Sequence, residues 1–261
     1  MSVVTAALIQ LAINDDEPVD VRVARTVELT ADAAADADLV VLPELWHIGA
    51  FALALAREHA QTLEGPIVTR MRAVAAEAGT WIHAGSIVEA ASDGRYFNTS
   101  VVINADGEIA ATYRKMHLFG FDAGERSVMS EGEGLVVVDT VVGYTGLATC
   151  YDLRFPELFR AMVARGAQSF LMPSGWPSAR IGHWSLLARA RAVENQAYVF
   201  ACNEVGTHAG VRLGGRSVII DPRGEVLAEA GTGEEVIAAA VDLDRVTEWR
   251  REFPVLADRR I

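Results

Sequence analysis

The feature that most constrains the fold is a series of short apolar runs, rich in β-branched residues, spread along the whole chain. Such runs are typical of strands, and we predict them at 3–11, 39–43, 81–89, 99–104, 135–139, 145–149, 169–173, 198–203, 217–221 and 236–242. Helical patterns lie between several of these strands, at 19–36, 66–78, 156–165, 183–195 and 244–252. Hairpins such as the one at 103–109 occupy the middle of the chain. The pattern predicts a layered α/β sandwich with largely antiparallel pairing.

The size of the chain favours one domain with a sizeable core. Its 261 residues are 51% hydrophobic and 22% charged, as in soluble globular proteins. No linker-like segment, repeat or charge block interrupts the sequence, so we predict a single domain over 1–261. The first residues lack a basic segment of the kind that opens a signal peptide, and no apolar run reaches the roughly 18 residues that span a bilayer. We therefore expect a cytoplasmic protein with no membrane partner.

Charge and cysteine usage narrow the classes of partner. The formal net charge is −12, which argues against nucleic acid as a partner because phosphate binding needs clustered Lys and Arg. Cys150 and Cys202 are too few for a disulfide framework and fit a reducing compartment. The six histidines show no metal-ligand spacing. We expect neither a metal nor another cofactor.

Lysine occurs once in this chain, at Lys115, whereas arginine supplies all the other basic residues. Either one lysine remained by chance, or the site needs a compact point charge instead of a broad planar guanidinium. Lys115 follows a predicted strand in an apolar segment, where a cation pairs with a carboxylate or stabilises an oxyanion. Glu125, ten residues later, either contacts Lys115 or the substrate, or is exposed in a loop.

Two further residues lie just after predicted strands. Cys150 is at a strand-to-helix turn, where backbone N–H groups and the positive helix end would favour a thiolate nucleophile. A buried structural cysteine is the alternative, and Cys202, within an apolar run, is expected to be of that kind. Glu44 follows a strand whose apolar run implies burial, which would raise its pKa toward the range of a general base. An exposed Glu at a helix N-terminus is the alternative.

Several segments together resemble the nitrilase superfamily, the carbon-nitrogen hydrolase family, in its amidase or ω-amidase-like branch. The order Glu, Lys, Cys matches that family, and the likeness covers nearly the whole chain. The segments that carry it are Pro-Glu-Leu-Trp at 43–46, Tyr-Arg-Lys-Met-His-Leu at 113–118, Cys-Tyr-Asp-Leu-Arg-Phe-Pro-Glu at 150–157, Pro-Ser-Gly-Trp-Pro at 173–177, His-Trp at 183–184 and Arg-Ala-Arg-Ala-Val-Glu-Asn-Gln at 189–196.

The resemblance implies a four-layer αββα sandwich of the nitrilase-like type, whose subunits usually dimerise sandwich to sandwich. It also implies hydrolysis of a non-peptide C–N bond. Carried over to this chain, Glu44 is the general base and Cys150 forms a thioester acyl-enzyme. Lys115 stabilises the oxyanion together with the N–H of Tyr151, and Glu125 is the supporting second Glu.

The loop after Lys115 departs from the family pattern. Several branches carry a longer segment with a Phe-Arg-Glu-Ser-like run, whereas this chain has the loop 119–127. Glu125 is the best match for the second Glu, and Asp122 and Glu131 are the alternatives. This loop also helps to shape the substrate pocket, so the sequence leaves the substrate specificity open as well.

Arg154 has two interpretations. It either clamps a substrate carboxylate through a bidentate contact or forms a structural ion pair. The ion pair is favoured, with one of three carboxylates as partner: Asp152, Glu157 or Glu194.

Other polar and aromatic residues are predicted around the oxyanion- and substrate-binding part of the site. His117 and Trp176 belong there, with His117, like His183, forming a hydrogen-bonding framework and not a catalytic base. Trp46 and Trp184, like Trp176, line the pocket or an interface, or else pack in the core.

The leading functional hypothesis is hydrolysis of a small linear amide with water, releasing ammonia and a carboxylic acid. N-carbamoyl hydrolysis by the same residues is the second hypothesis, and nitrile hydrolysis is the third. A binding module that has lost its activity is disfavoured by the intact Glu44, Lys115 and Cys150. A papain-like protease is disfavoured because the flanking pattern and the downstream His and Asn are missing.

Overall fold

The computed structural model describes residues 3–120 and 124–260. Within these ranges the strands, in chain order, are β1 (Val3–Gln10), β2 (Leu39–Val41), β3 (Trp81–Ala90), β4 (Tyr96–Ile103), β5 (Ile109–Arg114), β6 (Val137–Thr140), β7 (Gly143–Leu147), β8 (Ser169–Pro173), β9 (Tyr198–Cys202), β10 (Thr207–His208), β11 (Val211–Arg212), β12 (Val218–Ile220), β13 (Val226–Glu229) and β14 (Glu235–Asp242). The α-helices are α1 (Val19–Ala34), α2 (Pro66–Ala78), α3 (Pro156–Ala164), α4 (Ile181–Asn195) and α5 (Asp244–Glu252). Helices α2 and α5 have the predicted bounds. No helix in the described ranges is both long and apolar enough to cross a bilayer.

The strands form two six-stranded sheets and one small hairpin, β10 with β11. The first sheet has the order β14-β1-β2-β3-β4-β5, and the second has the order β13-β12-β9-β8-β7-β6. The central pairs, β1–β2 and β2–β3 in one sheet and β7–β8 and β8–β9 in the other, are parallel. The other six pairs that the structure describes in these two sheets are antiparallel, so the largely antiparallel pairing is confirmed. At the sheet centres, helices α1 to α4 supply the crossovers that parallel neighbours need.

Alternating side chains divide the molecule into four layers. In β1, Leu8 packs between the two sheets, whereas Ile9 packs against α1 and α2. In β9, Phe200 packs between the sheets, whereas Val199 packs against α3 and α4. The period of two along a strand sends successive side chains to opposite faces. The layers therefore follow the order helices, sheet, sheet, helices, which confirms the predicted αββα sandwich.

Four strands lie outside the predicted strand ranges: β13, the short pair β10–β11, and β5, which was predicted only as an arm of the hairpin at 103–109. The side chains of β13 are exposed or half-buried, so the segment lacks the apolar run that predicts a strand. Its backbone pairing with β12 at the sheet edge defines it instead.

Strand direction gathers the ends of several strands at one place. In the first sheet, β2 and β5 run in the same direction, and Glu44 and Lys115 follow their carboxyl ends. In the second sheet, β7, β8 and β9 are parallel, and Cys150, Trp176 and Glu204 follow their ends. Ligand sites of α/β proteins commonly form outside the carboxyl ends of parallel strands.

Candidate active site

A cavity of about 450 Å³ lies at these carboxyl ends. All four predicted catalytic residues line it. We call them the floor: Glu44, Lys115, Glu125 and Cys150. Half-exposed side chains line it nearer the solvent, and we call these the mouth: Phe119, Tyr151, Arg154 and Arg180. The floor brings together residues that are up to 106 positions apart in the sequence.

Glu44 is buried at the turn that follows β2. Only 2% of the residue is exposed, and the next residue, Leu45, has the unusual φ of +40°. The N–H of Leu45 donates to the hydroxyl of Ser86 at 3.0 Å, which holds the turn against β3. Burial raises the pKa of Glu44 above its usual value, although the Lys115 ammonium opposes the shift. The sequence prediction of a buried carboxylate with a raised pKa is confirmed.

Lys115 lies between two carboxylates. Its Nζ donates to Oε1 of Glu44 and to Oε2 of Glu125, both at 2.7 Å. Burial opposes the charged form, but the carboxylates of Glu125 and Glu44 outweigh it and raise the pKa of Lys115 well above its usual value. Of the alternatives to Glu125, Glu131 forms an ion pair with Arg126, and residue 122 is outside the described ranges.

Cys150 occupies a strained backbone position. It follows Thr149, opens a short 3-10 turn, Cys150–Arg154, and has a φ of +48°, in the left-handed region that non-glycine residues rarely adopt. Burial and the neighbouring Glu44 carboxylate raise the pKa of the thiol well above its usual value. This direction is opposite to the one expected from a positive helix end, because burial and the carboxylate both favour the protonated thiol. The thiol is in hydrogen-bonding contact with the buried Glu44 carboxylate.

Asp152 fixes the cysteine turn to the segment around Lys115. Its carboxylate, which is fully buried, accepts hydrogen bonds from the Thr149 N–H at 2.8 Å and the Tyr113 hydroxyl at 2.8 Å. It also contacts Nδ1 of His117 at 2.6 Å. The ring of His117 stacks on Phe155, with centroids 3.8 Å apart, and does not line the cavity. His117 therefore has the framework position and not a substrate-binding one.

Two arginines lie over aromatic rings at the mouth. The guanidinium carbon of Arg154 is 4.6 Å from the centroid of Trp176, and that of Arg180 is 5.5 Å from the centroid of Phe119. The favoured ion pair of Arg154 is not formed with any of the three expected carboxylates. In the described ranges, its side-chain hydrogen bond is instead with Nδ1 of His183, at 3.4 Å. Its sequence neighbour Asp152 is already occupied within the fold.

The matching family model is Carbon-nitrogen hydrolase, over residues 5–251. The chain belongs to the carbon-nitrogen hydrolase family. It is 42% identical to a 2-oxoglutaramate amidase of Paenarthrobacter nicotinovorans, over 97% of this chain and 88% of that protein. The structure of Saccharomyces cerevisiae Nit3, a member of branch 10 of the nitrilase superfamily, matches with a TM-score of 0.89 and 32% identity, over 99% of this chain and 97% of the other.

A third similar protein is an amidase from Nesterenkonia sp. AN1. The structure of one of its mutants shows covalent addition of the acetamide moiety of fluoroacetamide at the active-site cysteine. The TM-score is 0.81 at 27% identity, with 97% of this chain and 96% of that chain covered.

In this carbon-nitrogen hydrolase, one of the three tryptophans considered above lines the cavity, whereas the other two and the second cysteine lie in the core. Trp176 lines the cavity, and its indole N–H donates to the carbonyl of Cys150 at 3.2 Å. Trp46 and Trp184 are fully buried, and each donates to a backbone carbonyl away from the cavity. Cys202 is also fully buried and donates to the carbonyl of Ile9. Its prediction as a core residue is confirmed.

Asn98 contacts two floor residues and is a residue that sequence reasoning missed. Its Nδ2 donates to Oε1 of Glu44 at 2.8 Å and to Oε1 of Glu125 at 2.7 Å. It lies in β4, which begins at Tyr96, whereas the predicted strand begins at residue 99 and so leaves Asn98 out. The signal that could have found it is a polar amide at the edge of an apolar strand, because a buried amide needs hydrogen-bond partners.

Glu204 is a second buried carboxyl group that sequence reasoning missed. It is 0% exposed, and its Oε2 lies 3.8 Å from Nε2 of His208, while the backbone N–H of Ala50 also contacts the carboxyl group. Its Oε2 and that of Glu44 are 3.2 and 3.5 Å from the point where a Cβ of Gly175 would stand. The methyl group of Ala50 would clash with such a Cβ, so this position needs glycine. Burial and the Glu44 carboxylate raise the pKa of Glu204 well above its usual value.

The described residues contain no group of three or more His, Cys, Asp or Glu side chains arranged to hold a metal ion. The floor offers a thiol, a carboxylate pair and an ammonium. These groups can carry out acyl transfer through a covalent intermediate.

Proposed function

We propose that this carbon-nitrogen hydrolase is a thiol amidohydrolase of the ω-amidase type, which converts the terminal amide of a small linear carboxylic acid to ammonia and a free carboxylate. The observation that carries the proposal is the floor itself. A thiol, a buried carboxylate and a buried ammonium line one cavity, with the carboxylate and the ammonium 2.7 Å apart. The cavity is large enough for a small linear molecule.

In the first step, Glu44 accepts the proton of the Cys150 thiol while the sulfur attacks the amide carbon. A base is needed because burial and Glu44 raise the pKa of the thiol. The new C–S bond turns the carbonyl into a tetrahedral oxyanion. Transfer of the proton to Glu44 removes one negative charge from the floor as a negative charge develops on the substrate oxygen, so the total charge in the cavity stays constant.

Lys115 stabilises that oxyanion. An ammonium has three N–H donors, and two of them are used by Glu44 and Glu125. The third is free to point into the cavity, which Lys115 lines. The backbone N–H of Tyr151 is the second donor in this proposal. Preorganised donors of this kind stabilise the transition state because they need no reorientation during the reaction.

Breakdown of the intermediate uses the same base twice. Glu44 gives its proton to the amide nitrogen, the C–N bond breaks, and ammonia leaves behind a thioester on Cys150. Glu44 then accepts a proton from water as the water attacks the thioester carbon. The C–S bond breaks, the thiolate takes the proton back from Glu44, and the acid is released.

The mouth suggests which small amide binds. Arg154 and Arg180 both line the cavity, and in the described ranges neither forms an ion pair with a carboxylate. Guanidinium groups bind carboxylates through paired hydrogen bonds. We therefore place the free carboxylate of the substrate at the mouth and its amide at the floor. The name of one relative, 2-oxoglutaramate amidase, describes a substrate with this division of groups.

N-carbamoyl hydrolysis is the second candidate, because a ureido acid also carries a carboxylate at the far end from its C–N bond. The same floor and the same two arginines would act on it. The products differ, since a ureido substrate gives carbon dioxide as well as ammonia. The second candidate therefore has its own measurable signature.

We further propose that residues 1–261 form one domain that assembles as a homodimer in the cytoplasm. Leu186 and Val193, seven positions apart on α4, are 68% and 52% exposed. Residues with this spacing share one face of a helix, and a second copy would cover that apolar face. Both cysteines are free thiols, which agrees with a reducing compartment.

A substrate panel tests the proposed function. The panel contains 2-oxoglutaramate, simple neutral amides, ureido acids and nitriles, with ammonia and carbon dioxide measured separately. We expect ammonia without carbon dioxide from 2-oxoglutaramate, and an acyl adduct on Cys150 by mass spectrometry after rapid quenching. Carbon dioxide from ureido acids alone would favour the second candidate. No turnover and no adduct with any of these compounds would favour an inactive binding module.

A further inference from the structure

The two oxygens of the Glu44 carboxylate have different surroundings. Oε1 accepts hydrogen bonds from Lys115 at 2.7 Å and from Asn98 at 2.8 Å. Oε2 accepts from neither and lies 3.5 Å from the point where a Cβ of Gly175 would stand. The Cys150 thiol is in hydrogen-bonding contact with this carboxylate. One oxygen is therefore held by fixed donors, and the other is available to the thiol.

We infer that Asn98 is a positioning residue that occupies Oε1 of Glu44 together with Lys115, and so leaves Oε2 as the base oxygen that faces Cys150. The inference rests on the proposed function, because it assigns Asn98 to the chemistry of Glu44. Asn98 does not line the cavity. It acts on the substrate only through Glu44 and Glu125.

An amide suits this position for a stereochemical reason. Nδ2 of asparagine carries two hydrogens, and each is directed at one carboxylate, Glu44 at 2.8 Å and Glu125 at 2.7 Å. Rotating the amide by half a turn would place its oxygen against two carboxylates, which is repulsive. The orientation of the amide is thus fixed by its neighbours. Its Oδ1 has no hydrogen-bond partner in the described ranges.

The backbone holds this amide in register with the lysine. Lys115 N–H donates to the carbonyl of Asn98 at 2.9 Å, across the β4–β5 pair. The two donors to Glu44 are therefore attached to adjacent strands of one sheet. Rigid strands position functional groups more accurately than loops do. Glu44 itself lies on a turn after β2 and gains its orientation from these two donors.

Replacing Asn98 removes one of the two donors to Oε1. Hydrogen bonds to the ionised form of a carboxylate favour that form, so their loss moves the pKa of Glu44 further above its usual value. The acid limb of the kcat/KM profile then moves to higher pH. Because the substrate does not touch Asn98, kcat should fall while KM is nearly unchanged.

The variants Asn98→Ala and Asn98→Asp test the inference, with Asn195→Ser as the matched control. Asn195 is also fully buried, but its amide donates to a backbone carbonyl within α4. We expect N98A to lower kcat by about 10²-fold, the loss that a misplaced catalytic group produces. N98D keeps the shape but adds a carboxylate, so its acid limb should move further than that of N98A, by about one pH unit or more. The control should keep the wild-type limb.

Alkylation of Cys150 by 2-chloroacetamide gives a second measurement that needs no turnover. The rate, followed against pH by mass spectrometry on the intact protein, should move to higher pH in N98A and N98D. Both variants are checked for folding by circular dichroism, and the isosteric N98D remains informative if N98A does not fold. The inference is overturned if the variants keep the wild-type kcat and the acid limb of the kcat/KM profile does not move. It is also overturned if both variants lose kcat equally while the pH profiles of turnover and of alkylation stay unchanged. A wild-type protein inactive on every amide would contradict the proposed function, but the alkylation profiles would still decide the role of Asn98.

Discussion

Charged side chains have opposite surroundings on the floor and at the mouth of the cavity. On the floor, Lys115 is 1% exposed and contacts two carboxylates that are themselves buried. At the mouth, Arg154 and Arg180 are half-exposed, lie over aromatic rings, and have no carboxylate partner in the described ranges. Desolvation makes an unpaired charge very costly on the floor, whereas solvent stabilises one at the mouth. The charged groups of the floor form ion pairs with one another, whereas the arginines of the mouth are available to bind a ligand.

This difference assigns the two regions to different kinetic parameters. Groups that are fixed before the substrate arrives act on the transition state and set kcat. Groups that are free until the substrate arrives contribute binding energy and set KM and substrate selectivity. Changes confined to one region should therefore leave the parameter of the other region nearly unchanged.

The largest effect is expected from Cys150→Ser. Loss of the nucleophile should lower kcat by more than about 10⁴-fold, as measured by ammonia release from saturating 2-oxoglutaramate. Cys202→Ser is the matched control, because Cys202 is a free thiol buried in the core, whereas Cys150 lines the cavity. Comparable activity in the two variants would contradict a division between site and core cysteines.

Lys115→Arg should have the next largest effect. The substitution keeps the charge but replaces a compact ammonium with a planar fork that cannot donate to Glu44, Glu125 and an oxyanion at once. We expect kcat to fall by about 10²–10³-fold, the effect of losing one oxyanion donor, with KM little changed. Steady-state kinetics on 2-oxoglutaramate measure both. Unchanged turnover would show that the oxyanion assignment is wrong.

At the mouth, Arg154→Met and Arg180→Met should each raise KM for 2-oxoglutaramate by about 10- to 100-fold, the contribution of a hydrogen bond to a charged group. Neither should change kcat/KM for a neutral amide of similar length. Arg57→Met, an exposed arginine outside the cavity lining, is the control. An equal loss of kcat/KM on charged and neutral amides would mean that the mouth does not bind the substrate carboxylate.

The smallest effect concerns Glu204, a fully buried carboxyl group outside the floor. Glu204 has a raised pKa in the folded protein, so above the unfolded value the native state holds a proton that the unfolded chain releases, and stability decreases as pH rises. Glu204→Gln is neutral at every pH and should be more stable than wild type by about 1 kcal/mol at pH 8, or about 2–4 °C in Tm. The difference should shrink toward pH 5.

Thermal unfolding at several pH values checks this expectation. The control is Glu28→Gln, an exposed position on α1, which should show no growing difference. A difference in Tm that is constant with pH would mean that Glu204 is ionised in the folded state. Burial of this carboxylate would then have a smaller cost than the contrast between floor and mouth implies.

Much of the fold follows from local patterns. The period-two apolar runs and the helical segments between them predict most strands and all five helices of the described ranges, and α2 and α5 have the predicted bounds. The edge strand β13 escapes prediction because its exposed side chains carry no such pattern. The parallel direction of the central strands escapes it too, since the direction of pairing depends on how the crossover helices pack.

The sequence by itself determined the chemical groups of the site: the solitary Lys115, the cysteine at the end of β7 and the glutamate at the end of β2. Only the tertiary structure decided their states. A pKa depends on burial and on neighbours that are distant in sequence, so the raised pKa values of Cys150 and Glu204 follow from strands that meet at one edge. The two hydrogen bonds that the Asn98 amide donates have the same origin. The same physical reason frees Arg154 from its expected ion pair, because Asp152 is already held by the fold.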